Sequence, residues 1–137
     1  LEQCRERIAR EDLPVTVLGW QSDIEKVLSA ADMVVLTSDN EGTPLSLIQA
    51  GMAGLPVITT RVGSVPEVVL DGTTGFITNL EADEIADALE KLAKDAGLRA
   101  IMGAAAQEFT LAHFVVERLV HDHEELYKKL LNDRAKS

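Results

Sequence analysis

The stretch EGTPLSLIQAGMAGLP, Glu41 to Pro56, decides the reading of this chain, because it takes a loop bearing a carboxylate straight into a helix. Thr43 suits the N-cap and Pro44 the first helical position, where its missing N–H costs nothing and its fixed φ already fits the helix. The amides that follow have no acceptor inside the helix. Together with the positive end of the helix dipole they attract an anion, and Gly42 has no side chain to keep a phosphate from the backbone. The expectation at this junction is a phosphate-bearing ligand, set against the plainer alternative of an ordinary capped helix.

Around that helix the apolar pattern changes period. Val15 to Leu18, Met33 to Thr37 and Pro56 to Thr60 are short apolar runs rich in β-branched residues, as buried parallel strands are, and Gly75 to Thr78 is a weaker fourth. Helical stretches at Asp23 to Ala30 and Pro44 to Ala53 lie between them. Such alternation predicts an α/β fold, a partial Rossmann-like, doubly wound parallel sheet of about four strands. A helical C-terminal segment follows: Glu81 to Asp95, Leu98 to Leu111 and Val115 to Asn132, with breaks at Gly97 and at Ala112-His113. Leu1 to Asp12 reads as one short charged helix. In the last helix Val116, Leu119, Val120, Leu126, Leu130 and Leu131 are consistent with one buried stripe that packs on another lobe.

With 137 residues, 46% hydrophobic and 26% charged, residues 1–137 read as a single soluble domain with a real core. No apolar run approaches the roughly 20 residues of a membrane span, and no signal segment opens the chain, so a cytoplasmic setting follows most simply. The chain opens on Leu1 rather than methionine, as an excised domain or a processed product would. A net charge of −10 repels polyanions and argues against nucleic acid as a partner. For a small anionic ligand, backbone amides and a helix end must then supply most of the attraction. Cys4 is the lone cysteine, which leaves no disulfide and no zinc motif, and His121 and His123 do not share a helix face; no metal site is expected.

Open α/β sheets take ligands in the crevice outside the carboxyl ends of their strands. Gly19 and Trp20 follow the first predicted strand, Ser38 to Thr43 the second and Arg61 to Pro66 the third, so one crevice would collect them all.

The order Ser38, Glu41, Gly42, Pro44, Leu45, then Gln49, Ala50, Gly54, Pro56 and Val57 resembles the donor-nucleotide motif of family 4 glycosyltransferases, retaining enzymes of GT-B architecture. The likeness extends through LGWQSDIEKVLSAADMVVLTS upstream, TTRVGSVPEVVLDGTTGFIT downstream and LRAIMGAAAQEF beyond, nearly the whole chain. It implies the C-terminal, nucleotide-sugar-binding domain of such an enzyme. The substrate would be a nucleoside-diphosphate sugar, and no cofactor is implied.

By that resemblance Glu41 is the catalytic-site carboxylate and hydrogen-bonds hydroxyls of the donor sugar; the alternative is a solvated carboxylate favouring the helix start. Gly42, Thr43, Pro44 and Leu45 would hold the diphosphate through main-chain amides. Gln49 stands where the family usually places a second glutamate on the ribose. It keeps the reach and loses the charge, which weakens the contact by about 1 kcal/mol. Gly63 and Ser64 resemble a glycine-rich pair near the donor sugar, with the second glycine replaced. Gly19 and Trp20 fall where the family meets the base, although a tryptophan packed over a helix is the commoner arrangement. Gly51, costly inside a helix, is read as a close-packing position, and Asp71-Gly72 as a turn.

The resemblance also marks what is missing. The family's domain carries an Arg and a Lys on two further strand-helix units, and nothing before Val15 supplies them. Its strand order is 3-2-1-4-5-6, so this chain would keep 3, 4, 5 and 6, and its first strand would lose its neighbour. Three outcomes are then open: that strand shifts to pair with the second, a partner chain fills the gap, or sheet edges stay exposed. A missing N-terminal acceptor domain or a homo-oligomer partner would complete the chain, which alone is expected to turn over negligibly. The alternatives are a non-catalytic interaction or oligomerisation module of the same fold and part of a nucleotide-sugar epimerase.

Overall fold

A computed structural model describes residues 2–134; Leu1, the first residue of the predicted N-terminal helix, lies outside them. The elements run α1 (Glu2–Arg10), α2 (Ile24–Ser29), β1 (Val34–Leu36), α3 (Leu45–Met52), β2 (Val57–Thr60), α4 (Val65–Val68), β3 (Gly75–Thr78), α5 (Ala82–Lys94), α6 (Ala96–His113) and α7 (Val116–Arg134). The sheet is parallel with order β1-β2-β3; Val34 pairs with Val57, and Val57 with Gly75.

Strand β2 is central and buried along its whole length, as a continuous apolar run in a parallel sheet predicts. Its side chains alternate between two cores. Val57 joins Leu47, Ile48 and Ala50 of α3 with Val65 and Val68 of α4, and Ile58 joins Ala88 and Leu92 of α5 with Met102 of α6. Leu47, Ile58 and Leu92 are almost wholly buried, each contributing roughly 1.5–3 kcal/mol of transfer free energy.

Helix α3 is held at its C-terminus and along its back. At its C-terminus Gly54 adopts φ +73°, its N–H donates to the Gly51 carbonyl at 2.8 Å, and the Leu55 N–H reaches back to Ala50 at 3.0 Å. This is the Schellman arrangement, which needs a residue free to enter the left-handed region. Along its back α3 packs on α6 so closely that a Cβ on Gly51 would lie 2.5 Å from Thr110 Cγ2, as the close-packing reading requires. Gln107 Nε2 donates to the Met52 carbonyl at 3.0 Å across the same interface.

Four expectations change. Val15 to Leu18 forms no strand; the segment has no regular structure, and Val15, Val17 and Leu18 are exposed. A strand needs a ladder partner, and β2 is the only strand paired with β1, so the described sheet has three strands and an open edge at β1. The α5–α6 break falls at Asp95, whose carboxylate accepts from Leu98 N–H at 2.8 Å, so Gly97 lies inside α6. Thr43 does not cap α3: Pro44 occupies the cap position at φ −75°, ψ 101°, and no side chain accepts there. Finally, the apolar stripe of α7 is uncovered, since no residue of that helix is buried. The Asp71-Gly72 turn forms as expected, with Gly72 at φ +74° donating to the Gly75 carbonyl at 2.8 Å.

Candidate functional site

At the carboxyl ends of β1 and β2 two loops interlock. Thr60 Oγ1 donates to the Ser38 carbonyl, and the Ser64 N–H donates to the Gly42 carbonyl at 3.3 Å. Gly63 has φ +49° and lies against the backbone of Glu41, where a Cβ would overlap the Glu41 carbonyl. Ser38, Glu41, Gly42, Gly63 and Ser64, named separately from the sequence, are thus joined in one cluster by backbone contacts.

The same loop ends at the start of α3. The Pro44 carbonyl accepts from Leu47 N–H at 3.1 Å and from Ile48 N–H at 3.4 Å, so the preceding amides of Leu45 and Ser46 lie ahead of the first intrahelical acceptor. Pro44 is buried while Gly42, Thr43, Leu45 and Ser46 are exposed, so the positive end of the helix lies at the surface. The Glu41 side chain is half-buried and makes no hydrogen bond or ion pair among the described residues. A carboxylate without a partner on the loop that leads into a helix start is suited to a ligand carrying both hydroxyl donors and anionic oxygens.

Gln49 stands one turn further along α3, half-buried, on the wall between two grooves. One, of about 520 Å³, is also lined by Thr43, Leu45, Phe114 and Arg118; the other, of about 480 Å³, by Ile24, Leu28 and Met52. Arg118 was not singled out from the sequence. It brings the groove a guanidinium, which donates to the His113 carbonyl at 3.1 Å and pairs with Asp122 at 3.4 Å. No short motif surrounds it; only the folding back of α7 onto the α3 side puts it there.

Two expected members are not brought in. Trp20 is 87% exposed on the irregular segment before α2, and Gly19, at φ +67°, has open space around it. Neither packs over a helix, because the strand that was to place them is not formed. Among the described residues no group of three or more His, Cys, Asp or Glu could hold a metal ion, and no helix is long and apolar enough to cross a membrane.

A crevice at the carboxyl ends of parallel strands, with a helix start opening into it, defines the ligand-binding class of open α/β domains. Within that class the chain belongs to the glycosyl transferases group 1 family, which it matches over residues 2–109. It is 35% identical over 120 residues to N-acetyl-alpha-D-glucosaminyl L-malate synthase of Bacillus anthracis, covering 87% of this chain and 32% of that protein. It is 42% identical over 88 residues to D-inositol 3-phosphate glycosyltransferase of Corynebacterium diphtheriae, 63% of this chain and 20% of the relative. The chain therefore spans less than half the length of either protein. Among solved structures it is similar to Anabaena HepE in complex with UDP, at TM-score 0.88 and 26% identity over 93% of this chain and 36% of that one.

Proposed function

We propose that this chain is the donor-binding part of a retaining family 4 glycosyltransferase of GT-B architecture, one that transfers a sugar from a nucleoside-diphosphate donor to an acceptor. The observation that carries the reading is the unpartnered Glu41 carboxylate set beside the free amides of α3 by the Gly63–Glu41 backbone contact. In this reading Glu41 orients the sugar through its hydroxyls. The Gly42–Leu45 backbone and the helix dipole stabilise the charge that grows on the departing diphosphate, and being fixed in advance they need no reorganisation as it leaves.

Gln49 takes the ribose, accepting from one hydroxyl and donating to another. The donor is of the uridine type, supported by the likeness to HepE, which has been solved with UDP-glucose. An exposed free Cys4 suits the reducing cytoplasm as the place of action. The acceptor lobe is supplied outside these residues, so the chain alone turns over negligibly. A second reading, a non-catalytic interaction module that keeps the fold without the donor site, is favoured by Gln49, where the charge that would strengthen ribose binding is replaced by an amide.

Calorimetric titration with UDP, UDP-glucose, GDP and ADP tests both. UDP binding, with an added affinity for UDP-glucose that is lost in Glu41→Ala, supports the donor-binding reading; no binding by any nucleotide refutes it. Measurable transfer by the isolated chain would overturn the statement about turnover.

A further inference from the structure

We propose, on the donor-binding reading above, that Thr60 is a positioning residue of the donor site: its buried hydroxyl fixes where the carboxylate loop leaves the sheet and so acts through Glu41. Pairing of β1 with β2 runs from Val34 opposite Val57 to Leu36 opposite Thr59, whereas β2 continues beside β3 until Thr60 stands opposite Thr78. Strand β1 therefore quits the ladder one residue before β2 does, and its chain turns into the loop of residues 38–43. At that departure a side chain takes over from the backbone, for the Thr60 hydroxyl donates to the Ser38 carbonyl.

The hydroxyl is placed to hold the loop rather than to follow it. Thr60 is 1% exposed and β-branched, which restricts χ1 and gives the hydroxyl one direction. Behind it the backbone is pinned to β3, where the Arg61 N–H donates to the Thr78 carbonyl at 2.9 Å. At its other end the loop is tied by the Ser64 N–H to the Gly42 carbonyl, and Gly63 bounds how closely Glu41 can approach. A steric contact excludes positions; the Thr60 bond selects one. With that bond removed, the carbonyl of Ser38, a half-buried residue, turns to water, so the loop shifts at small cost to the fold. The amides of Leu45 and Ser46 belong to α3, which the burial of Pro44 and Leu47 holds independently of that bond. Thr60 should therefore govern the contact with the sugar and not the contact with the diphosphate.

Calorimetry with UDP and UDP-glucose on the 137-residue chain tests this. Thr60→Val keeps the shape and removes the hydroxyl; the added affinity for UDP-glucose over UDP should fall about fivefold, with UDP itself within about twofold. Thr60→Ser should return the added affinity to within about twofold of the parent. In a Glu41→Gln background Thr60→Val should lower it no further, since the loss passes through that carboxylate. Thr78→Val is the control: the Thr78 hydroxyl donates to the Thr59 carbonyl at 3.4 Å, inside the sheet, so its loss should lower the melting temperature without changing the ratio of the two affinities. Equal losses for both ligands in Thr60→Val, or a loss that persists in the Glu41→Gln background, overturns the proposal. So does a Thr60→Val chain unfolded by circular dichroism, because the bond would then serve the fold as a whole. An unchanged ratio in Thr60→Val while UDP still binds refutes the role of Thr60 alone, whereas a parent chain that binds no nucleotide refutes the donor reading and this role with it.

Discussion

Gly63 presses against Glu41 so closely that no other residue fits between the two loops: its φ is +49°, and a Cβ there would overlap the Glu41 carbonyl oxygen. One glycine thereby fixes the loop carrying the carboxylate without touching the carboxylate. Gly63→Ala should destabilise the fold by about 3 kcal/mol, from left-handed strain and backbone displacement together. Gly72→Ala, also at positive φ but with open space around it, should cost only about 1 kcal/mol. Thermal unfolding of both variants checks the contrast; equal losses would mean that the contact with Glu41 is not what constrains the loop.

The α3–α6 interface gives a cycle with a defined sign. Gly51→Ala gains about 1 kcal/mol of helix propensity but drives a methyl to 2.5 Å from Thr110 Cγ2 in a buried seam, so the net change should be a loss of about 1–2 kcal/mol. Thr110→Ser removes that methyl and keeps the hydroxyl that donates to the Ala106 carbonyl at 2.8 Å. The double variant should therefore recover at least half of the Gly51→Ala loss. Additive losses in denaturant melts would refute the clash as the cause.

At the donor site the two acidic-type positions should respond differently. Glu41→Gln should leave UDP affinity within about twofold and remove most of the added affinity for UDP-glucose, because in the proposed donor site only the sugar meets that side chain. Gln49→Glu should tighten UDP itself about fivefold, close to 1 kcal/mol, by restoring a charge-assisted bond to the ribose. Calorimetry on both variants reads the split, and a Gln49→Glu variant with unchanged UDP affinity would remove that residue from the nucleotide.

One pH effect follows from the start of α5. The Glu84 carboxylate accepts from the Asn79 side-chain amide at 3.0 Å and from the Asn79 N–H at 2.9 Å, and these bonds hold it below its ordinary value of 4.5. A carboxylate whose folded value is depressed contributes stability above its unfolded value, and that contribution is lost as pH falls through the folded one. Glu84→Gln should therefore melt lower than the parent at pH 7, and the gap should narrow as pH falls below 4.5 and the parent's carboxylate is protonated. A gap independent of pH would assign the effect to packing.

Much of this arrangement could be read from residues that act locally. The alternation of short β-branched runs with helical stretches gave the parallel sheet, and Gly51 announced close packing, because both depend on periodicity or on a missing side chain. Ser38, Glu41, Gly42, Gly63 and Ser64 were also legible as members of one crevice, since strand ends in a parallel sheet must face the same way. What was not legible depends on partners distant in sequence. Val15 to Leu18 has the composition of a strand, but composition does not say whether a neighbouring strand is present to complete its hydrogen bonds. The stripe on α7 has the spacing of a buried face and is bare for the same reason. Arg118 reaches the groove beside Gln49 only through the turn at Phe114, a tertiary fact that no pattern around it records.

The contacts that assemble the carboxylate loop join residues well apart along the chain; the Thr60 hydroxyl and the Ser38 carbonyl, for example, are separated by 22 positions. Contacts of that span form only once the intervening chain has closed, so loop-closure entropy opposes them until β1 and β2 are paired. Variants at the Gly63–Glu41 contact should then alter the unfolding rate more than the folding rate. The surface best placed to meet a ligand is thus completed late, after the sheet that carries it.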